Sequence, residues 1–463
     1  MSYTFSPTIL REYDIRGQID KNLSEDDAYA LGRAFATYVA TKANTDKPSI
    51  CVGFDGRISS PALSDALIKG LRESGADVTS VGLGPTPMLY YAVKDLNADA
   101  GVMVTGSHNP SDYNGFKMTL NKSPVFGDAI QEIGVISTKG TLNKGEGSLR
   151  ELDIKESYVD RLMKDLKLDR DLTIAWDAGN GAAGEILQML TKKIPGTHHM
   201  IFEDIDGTFP NHHPDPTVDK NLVDLQKLVA DHKCDLGIAF DGDGDRIGVV
   251  DETGAVLRCD ILMTIYAREV IKNNPGAAII GDVKCSSVMF DEINKMGGKG
   301  VMWKTGHSLI KDKMRELNAP LAGELSGHIF FADIYYGFDD ALYCSVRLLN
   351  ELSKAQGGLS SLTSHLPKLF NTPEVRFEVS EAEKFDLVPR VLESLKAQAN
   401  DNADLDDIDG VRVTTPDGWW LLRPSNTQDV LVARVEATSK DGLERLKKMA
   451  GDEVEKLGYS IAF

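Results

Sequence analysis

The chain has 463 residues, with 51 Lys and Arg against 70 Asp and Glu, a formal net charge of −19. At 42% hydrophobic and 26% charged residues it has globular composition, and it is too long for one small core. The charge excludes a general binder of nucleic acid or of an anionic membrane surface, since both select a basic field.

At roughly 100–150 residues per domain, three or four domains are expected. The first sixteen residues show no basic head followed by an apolar run, so no signal peptide is expected. No apolar stretch approaches the roughly 20 residues that span a bilayer. Cys51, Cys234, Cys259, Cys285 and Cys344 are scattered and form no C-x-x-C pair. They read as free thiols in a reducing compartment, which makes a cytoplasmic protein the expectation.

In chain order, strand and helix alternate. An apolar run over 49–54 ends at Asp55, a Gly/Ser/Pro loop follows, and the pattern predicts a helix over 61–74 and a strand over 77–81. The same unit recurs at 172–176, ending at Asp177 with a helix over 185–191, and at 278–281, ending at Asp282 with a helix over 288–296. Each unit is followed by another apolar strand, and each of those strands leads into an unusual loop. The three loops are Thr105-Gly106-Ser107-His108-Asn109-Pro110, Asp241-Gly242-Asp243-Gly244-Asp245-Arg246 and Glu324-Leu325-Ser326-Gly327-His328. Ligands of open α/β sheets lie beyond the carboxyl ends of strands, so three copies of one unit would bring three loops to one cleft. From about 367 the pattern changes to α+β: strands over 374–379, 411–414, 419–422 and 430–436, with helices over 385–399 and 441–457. The acidic stretch from Asp401 to Asp409 reads as a solvated loop. Boundaries are expected near 150, 253 and 366.

The loop at 241–246 is the most distinctive. Carboxylates at alternate positions, with glycines for tight curvature, suit a hard cation such as Mg²⁺ with positions left open for a phosphate oxygen. The alternative is a plain Gly/Asp turn, but three carboxylates so close would repel one another. An EF-hand is excluded, because its obligatory glycine position holds Arg246. The stretch Gly179-Asn180-Gly181-Ala182-Ala183-Gly184 matches the dinucleotide fingerprint G-x-G-x-x-G, with Glu203 and Asp204 roughly 20 residues on. Asp177 argues against that reading, since it would repel a pyrophosphate and the sister units carry the same strand-end acid without the glycines. Ser107 beside His108 is a nucleophile only if a base or a metal activates it, and 241–245 would supply the metal. Lys117 is a cation close enough in sequence to reach the same phosphate. Arg423-Pro424-Ser425-Asn426-Thr427 combines a guanidinium fork with a candidate anion nest, or is a Ser/Asn turn between strands. Tyr13, Arg16, Lys284 and His307 are further polar candidates.

Together these motifs resemble the α-D-phosphohexomutases, specifically the bacterial phosphomannomutase/phosphoglucomutase branch, over essentially the whole chain. The four loops match the family's phosphoserine, metal, sugar-binding and phosphate-binding loops in order. The resemblance implies an α/β protein of four domains around a central cleft: 1–150 bearing the phosphoserine, 151–253 the metal loop, 254–366 the sugar loop, and 367–463 a smaller α+β phosphate-binding domain. The first three would share a mixed-sheet topology. It implies reversible phosphoryl transfer between the 1 and 6 positions of glucose or mannose phosphate, through a phosphoserine at Ser107 and a hexose 1,6-bisphosphate such as glucose 1,6-bisphosphate. Ser107, Asp241, Asp243 and Asp245 would hold Mg²⁺. Glu324 and Ser326 would bind sugar hydroxyls. Arg423, Ser425, Asn426 and Thr427, with Arg434 and Tyr13, would hold the distal phosphate. Arg16, His108, Lys117, Arg246, Lys284, His307 and His328 would line the rest, with Lys117 or His328 transferring the proton. Phosphohexose substrates and a monomer or weak dimer are expected.

The phosphate loop continues Gln428-Asp429, where relatives often have Thr or Glu followed by Pro. Leu325 stands where phosphoglucosamine mutases typically carry Gln, which favours glucose or mannose over an amino sugar. The competing readings are phosphoglucosamine mutase, a non-catalytic phosphosugar-binding protein, and a nucleotide-dependent enzyme using Gly179–Gly184. The gathered cations predict a positive cleft in a negative protein.

Overall fold

The computed structural model describes residues 2–380, 383–398, 403–426 and 429–463. Four sheets carry the fold. In the first, Ser49–Phe54 lies between Asp77–Leu83 and Ala100–Val104 and parallel to both, and Tyr113–Leu120 adds antiparallel to Ala100–Val104. The second sheet repeats this arrangement with Leu172–Asp177, Gly196–Ile201, Leu236–Phe240 and Ile247–Asp251. The third repeats it with Ala278–Asp282, Lys299–Trp303, Leu321–Gly323 and Ile329–Phe331. Three copies of one mixed α/β unit are therefore present. Parallel neighbours need crossovers, and each copy has two. The first helices are Ser60–Glu73, Gly184–Thr191 and Ser287–Lys295. The second are Thr86–Asp95, Val223–His232 and His307–Leu317.

The acid at the end of each central strand has one local job. An Oδ1 of Asp55, Asp177 and Asp282 accepts the backbone N–H two residues on, from Arg57 (3.1 Å), Gly179 (2.8 Å) and Lys284 (3.2 Å). This side-chain turn stops the strand and redirects the chain toward the helix. It also accounts for Gly179–Gly184. There Gly181, Ala182 and Gly184 donate their N–H groups to protein carbonyls. A Cβ on Gly184 would lie 2.1 Å from the Glu203 carbonyl oxygen, so that glycine serves close packing.

The fourth sheet is antiparallel, in the order Phe370–Asn371, Val430–Ala437, Gly418–Pro424, Val411–Thr415, Asp404–Asp406, with Val375–Glu378 also paired to Val430–Ala437. The strand Asp404–Asp406 corrects the expectation of a purely solvated acidic loop; Asp401 lies outside the described residues. An edge strand tolerates charged side chains because one side faces water, so its acids hid it. One face of this sheet packs Val413, Trp420, Leu422 and Val435 against the helices Lys384–Ala397 and Lys440–Lys456. The other turns Trp419 and Leu421 onto Val283.

A contiguous apolar cluster joins residues of the first three domains, while the fourth has a core of its own. All five cysteines are free and buried. Among the described residues, no helix is long and apolar enough to cross a membrane.

Candidate active site

Ser107 follows the strand Ala100–Val104 and is 1% exposed. Its φ of 50° is left-handed, a strained conformation for a non-glycine residue that its surroundings must hold. Its N–H donates to Thr105 Oγ1 at 2.8 Å. Arg57, buried beneath the loop, donates to the carbonyls of Ser107 (2.7 Å), Asn109 (2.6 Å), Pro110 (2.5 Å) and Tyr113 (2.9 Å), while its Nε meets Asp55 Oδ2 at 3.2 Å. Arg16 donates to Asn109 Oδ1 at 2.7 Å from the other side and pairs with Asp14. The Ser107 hydroxyl is thereby aimed at Asp241 Oδ2, 3.1 Å away, with His108 Nδ1 at 3.2 Å. Burial, then the charges of Arg246, Arg16 and Lys117, push His108 well below the ordinary histidine value.

The second domain brings its loop against the first. A Cβ on Gly242 would lie 2.4 Å from the Ser107 carbonyl oxygen, so the two backbones meet at a distance that only glycine permits. Asp241, Asp243 and Asp245 are fully buried, with ligand oxygens within 4.8 Å of one another. Lys117 Nζ contacts Asp243 Oδ2 at 2.7 Å and Asp245 Oδ2 at 2.5 Å. Thr86, first residue of its helix, donates Oγ1 to Asp243 Oδ2 at 2.5 Å and N–H to the Asp243 carbonyl at 2.8 Å. Burial, then the charges of Asp245 and Asp243, raise Asp241 well above the ordinary carboxylate value. Burial works the same way on Asp243, but the charge and hydrogen bond of Lys117 overcome it and hold that residue low. Asp243 Oδ1 and Asp245 Oδ1 are buried without a hydrogen-bond partner among the described residues. Three hard oxygen donors, two with orphaned atoms and one bonded to a hydroxyl, fit an oxophilic divalent cation.

The third loop joins the second by a β-bridge, Arg246 to His328, and Arg246 Nε donates to His328 Nε2 at 3.0 Å. Glu324 Oε1 accepts the Gly306 N–H at 2.7 Å, and burial before all else raises its carboxyl above the ordinary value. Ser326 is half-buried at the loop tip. His307 and His328 stack with ring centroids 5.2 Å apart. Asp339, fully buried, lies behind both: its Oδ2 is 3.1 Å from His328 Nδ1 and 3.6 Å from His307 Nδ1, and Lys311 Nζ is 2.6 Å from its Oδ1.

The fourth domain completes the cleft. Asp409 Oδ2 accepts from Arg423 Nε at 3.0 Å and from the Thr305 N–H at 2.9 Å. Asn426 donates to Tyr13 Oη at 2.5 Å, and Tyr13 donates to the Thr305 carbonyl at 3.0 Å. Residues of the first, third and fourth domains thus meet at one point. Ser425 is buried, and its N–H donates to the Val430 carbonyl at 3.0 Å. Arg434 donates to the Lys284 carbonyl at 2.5 Å, with Asp260 3.8 Å away, and Lys284 Nζ meets Glu374 at 2.9 Å. Thr427 and Gln428 lie outside the described residues. The Asp429 side chain is 66% exposed, with Lys384 Nζ 3.7 Å away.

Apart from Thr427, the expected residues are among the described ones, and six of them that are cations each have a carboxylate within 4 Å: Arg16, Lys117, Arg246, Lys284, Arg423 and Arg434. Arg57, Thr86 and Asp339 were missed from sequence, and the solvated reading of Asp409 is corrected: its largely buried carboxylate holds Arg423 and the Thr305 N–H. A signal for Arg57 existed, since it stands two residues after a strand-end Asp, where the third copy carries Lys284.

Four family models match in succession. They are described as phosphoglucomutase/phosphomannomutase alpha/beta/alpha domain I over residues 7–144, domain II over 156–254, domain III over 258–370, and the C-terminal domain over 374–452. The phosphomannomutase/phosphoglucomutase of Pseudomonas aeruginosa PAO1 is 42% identical over 459 residues, 99% of this chain and 98% of that protein. The phosphoglucomutase of Neisseria meningitidis serogroup A is 42% identical over 441 residues, 95% of each chain. The crystal structure of a phosphoglucomutase/phosphomannomutase family protein from Burkholderia thailandensis superposes with a TM-score of 0.92 at 42% identity, covering 99% of this chain and 100% of that one.

Proposed function

The chain belongs to the phosphoglucomutase/phosphomannomutase family, and from that premise we infer that it is an isomerase moving a phosphoryl group between the 1 and 6 positions of glucose or mannose phosphate. The observation that carries the reading is the Ser107 hydroxyl, buried and 3.1 Å from one of three clustered carboxylates.

In this reading Ser107 carries the phosphoryl group. The P–O bond to Ser107 breaks as a new one forms to a hydroxyl of the bound hexose monophosphate, giving the 1,6-bisphosphate. The bisphosphate turns end over end and returns its other phosphate to Ser107. Asp241, Asp243 and Asp245, with Ser107, would hold Mg²⁺, which when bound neutralises phosphoryl oxygens and eases departure of the serine oxygen. Arg16, His108 and Arg246 surround the reacting end. His328 accepts the proton of the attacking hydroxyl, or Lys117 does after losing the proton that Asp243 and Asp245 hold on its ammonium. Glu324 and Ser326 take sugar hydroxyls, with Lys284 and His307 beside them. Arg423, Ser425, Asn426 and Thr427, with Tyr13 and Arg434, hold the phosphate that is not reacting, so both orientations of the bisphosphate find the same grip. Asp429 does not oppose this, since its exposed side chain lies by Lys384.

Domain divisions near 150, 253 and 366 belong to the same reading and are supported by the breaks between the four family-model matches. A cytoplasmic setting agrees with five free cysteines. The test is a coupled assay with glucose 1-phosphate, mannose 1-phosphate and glucosamine 1-phosphate, together with intact-mass detection of phosphate on Ser107. Turnover of the first or second substrate is expected, and Ser107→Ala is expected to lose the phosphate and about 10³-fold or more in kcat. Wild-type turnover by that variant would refute the mechanism.

A further inference from the structure

A cavity of about 300 Å³ lies between the first and third domains, outside the phosphoryl-transfer cleft. Its walls include two equivalent second-crossover helices, Thr86–Asp95 and His307–Leu317. Tyr90, Tyr336 and Phe338 give it an aromatic lining. Four cations reach it, namely Lys94, Lys122, Lys311 and Arg315, and none of its lining residues is acidic. Lys311 is paired with Asp339 and Arg315 with Asp312, whereas Lys94 and Lys122 have no carboxylate within 4 Å among the described residues, which leaves the cavity a local excess of positive charge in a chain of net charge −19. Thr119, 8% exposed, also lines it, and its buried hydroxyl has no hydrogen-bond partner among the described residues. Rings, cations and an unpaired hydroxyl in one enclosure are the elements of a site for a small amphipathic anion.

Both wall helices begin at the active site. Thr86 holds Asp243 by side chain and backbone, and Tyr90 lies one turn further along the same helix. His307 opens the other helix, and Lys311, one turn on, ties the cavity wall to Asp339 and so to His307 and His328. Arg315 is roughly 12 Å along that helix from His307.

We propose that this cavity is an effector site for an organic anion with a flat apolar body and a phosphate, sulfonate or carboxylate group, and that its occupancy is felt at the phosphoryl-transfer site through the two helices. The effector role rests on the mutase reading, whereas binding does not. The probe is 8-anilinonaphthalene-1-sulfonate, titrated by fluorescence into the full chain. One saturable site is expected, with the same stoichiometry in the presence of saturating glucose 1-phosphate. Ala332→Trp, which fills the exposed rim, and Lys122→Glu are each expected to weaken it at least tenfold while leaving thermal unfolding and basal turnover unchanged. Saturating probe is expected to change kcat/KM for glucose 1-phosphate at least threefold in the wild type and not in Ala332→Trp. Absence of a saturable site, displacement by glucose 1-phosphate, or wild-type binding by either variant would overturn the site. Saturable binding that leaves kcat/KM unmoved would overturn the effector role. A chain without mutase activity that still bound the probe as described would refute the mutase reading and leave the binding site standing.

Discussion

At the residue scale, the site depends on side chains that hold others in place. Arg57 makes four carbonyl contacts and one carboxylate contact beneath the Ser107 loop, a fork that an ammonium cannot copy. Arg57→Lys is expected to lower kcat about 10–100-fold with little change in KM, measured in the coupled assay, because it loosens the nucleophile and leaves the substrate contacts intact. Gly242→Ala places a methyl group 2.4 Å from the Ser107 carbonyl oxygen and must push the first two domains' loops apart. A comparable loss of kcat is expected, with less phosphate on Ser107 by intact mass. Ser107, the three aspartates and Glu324 were legible in the sequence because each stands in a short loop of unusual composition, and Arg423 because its strand leads into one. Asp339 and Thr86 were not. Thr86 is one hydroxyl at the head of an apolar segment and Asp339 one of two adjacent acids, and the partners of each lie on other elements, 157 positions away in the case of Thr86 and Asp243.

At the element scale, strands ending in an acid were legible and the second crossover helices were not. The helix Ala341–Lys354 shows what a cap adds. Its N-cap Asp340 accepts the Tyr343 N–H at 2.9 Å and the hydroxyls of Tyr335 at 2.7 Å and Tyr158 at 2.9 Å, the last from the second domain. Burial raises its carboxyl from an ordinary 3.8 to about 6. The folded chain therefore binds the Asp340 proton more tightly than the unfolded chain. This contribution is complete below about pH 4 and is lost as pH rises through 6. Asp340→Asn keeps a capping residue and removes the titration. The stability of the wild type relative to this variant, from urea midpoints, is expected to fall by about 2 kcal/mol between pH 4.5 and 7.5. A constant difference would show that Asp340 does not titrate in this range.

At the scale of the whole molecule, three domains share a contiguous core, and the fourth meets the third through Trp419 and Leu421 on Val283, with Arg412 stacked 3.7 Å over the Trp419 ring. Trp419→Ala is expected to loosen this joint, raising KM for glucose 1-phosphate several-fold through the Arg423 loop. Calorimetry is expected to show an earlier melting step for the fourth domain, with the main transition of the other three unchanged. The repeat was legible as three strand–loop–helix units, but neither the docking face of the fourth domain nor the pairing of the cations was. Strand alternation tells which residues share a face and not what that face meets. The pairing also changes what it means to bind a phosphate here. Among the described residues, the six cations named in the cleft each already have a carboxylate within 4 Å, so the resting cleft is an internal salt. An arriving phosphate exchanges with a carboxylate, and a departing one hands the cation back. Exchange keeps the net gain from each contact small even where each contact is strong. An intermediate with a phosphate at both ends is then gripped firmly enough to react and loosely enough to let go, which a reaction that must turn its own intermediate around requires.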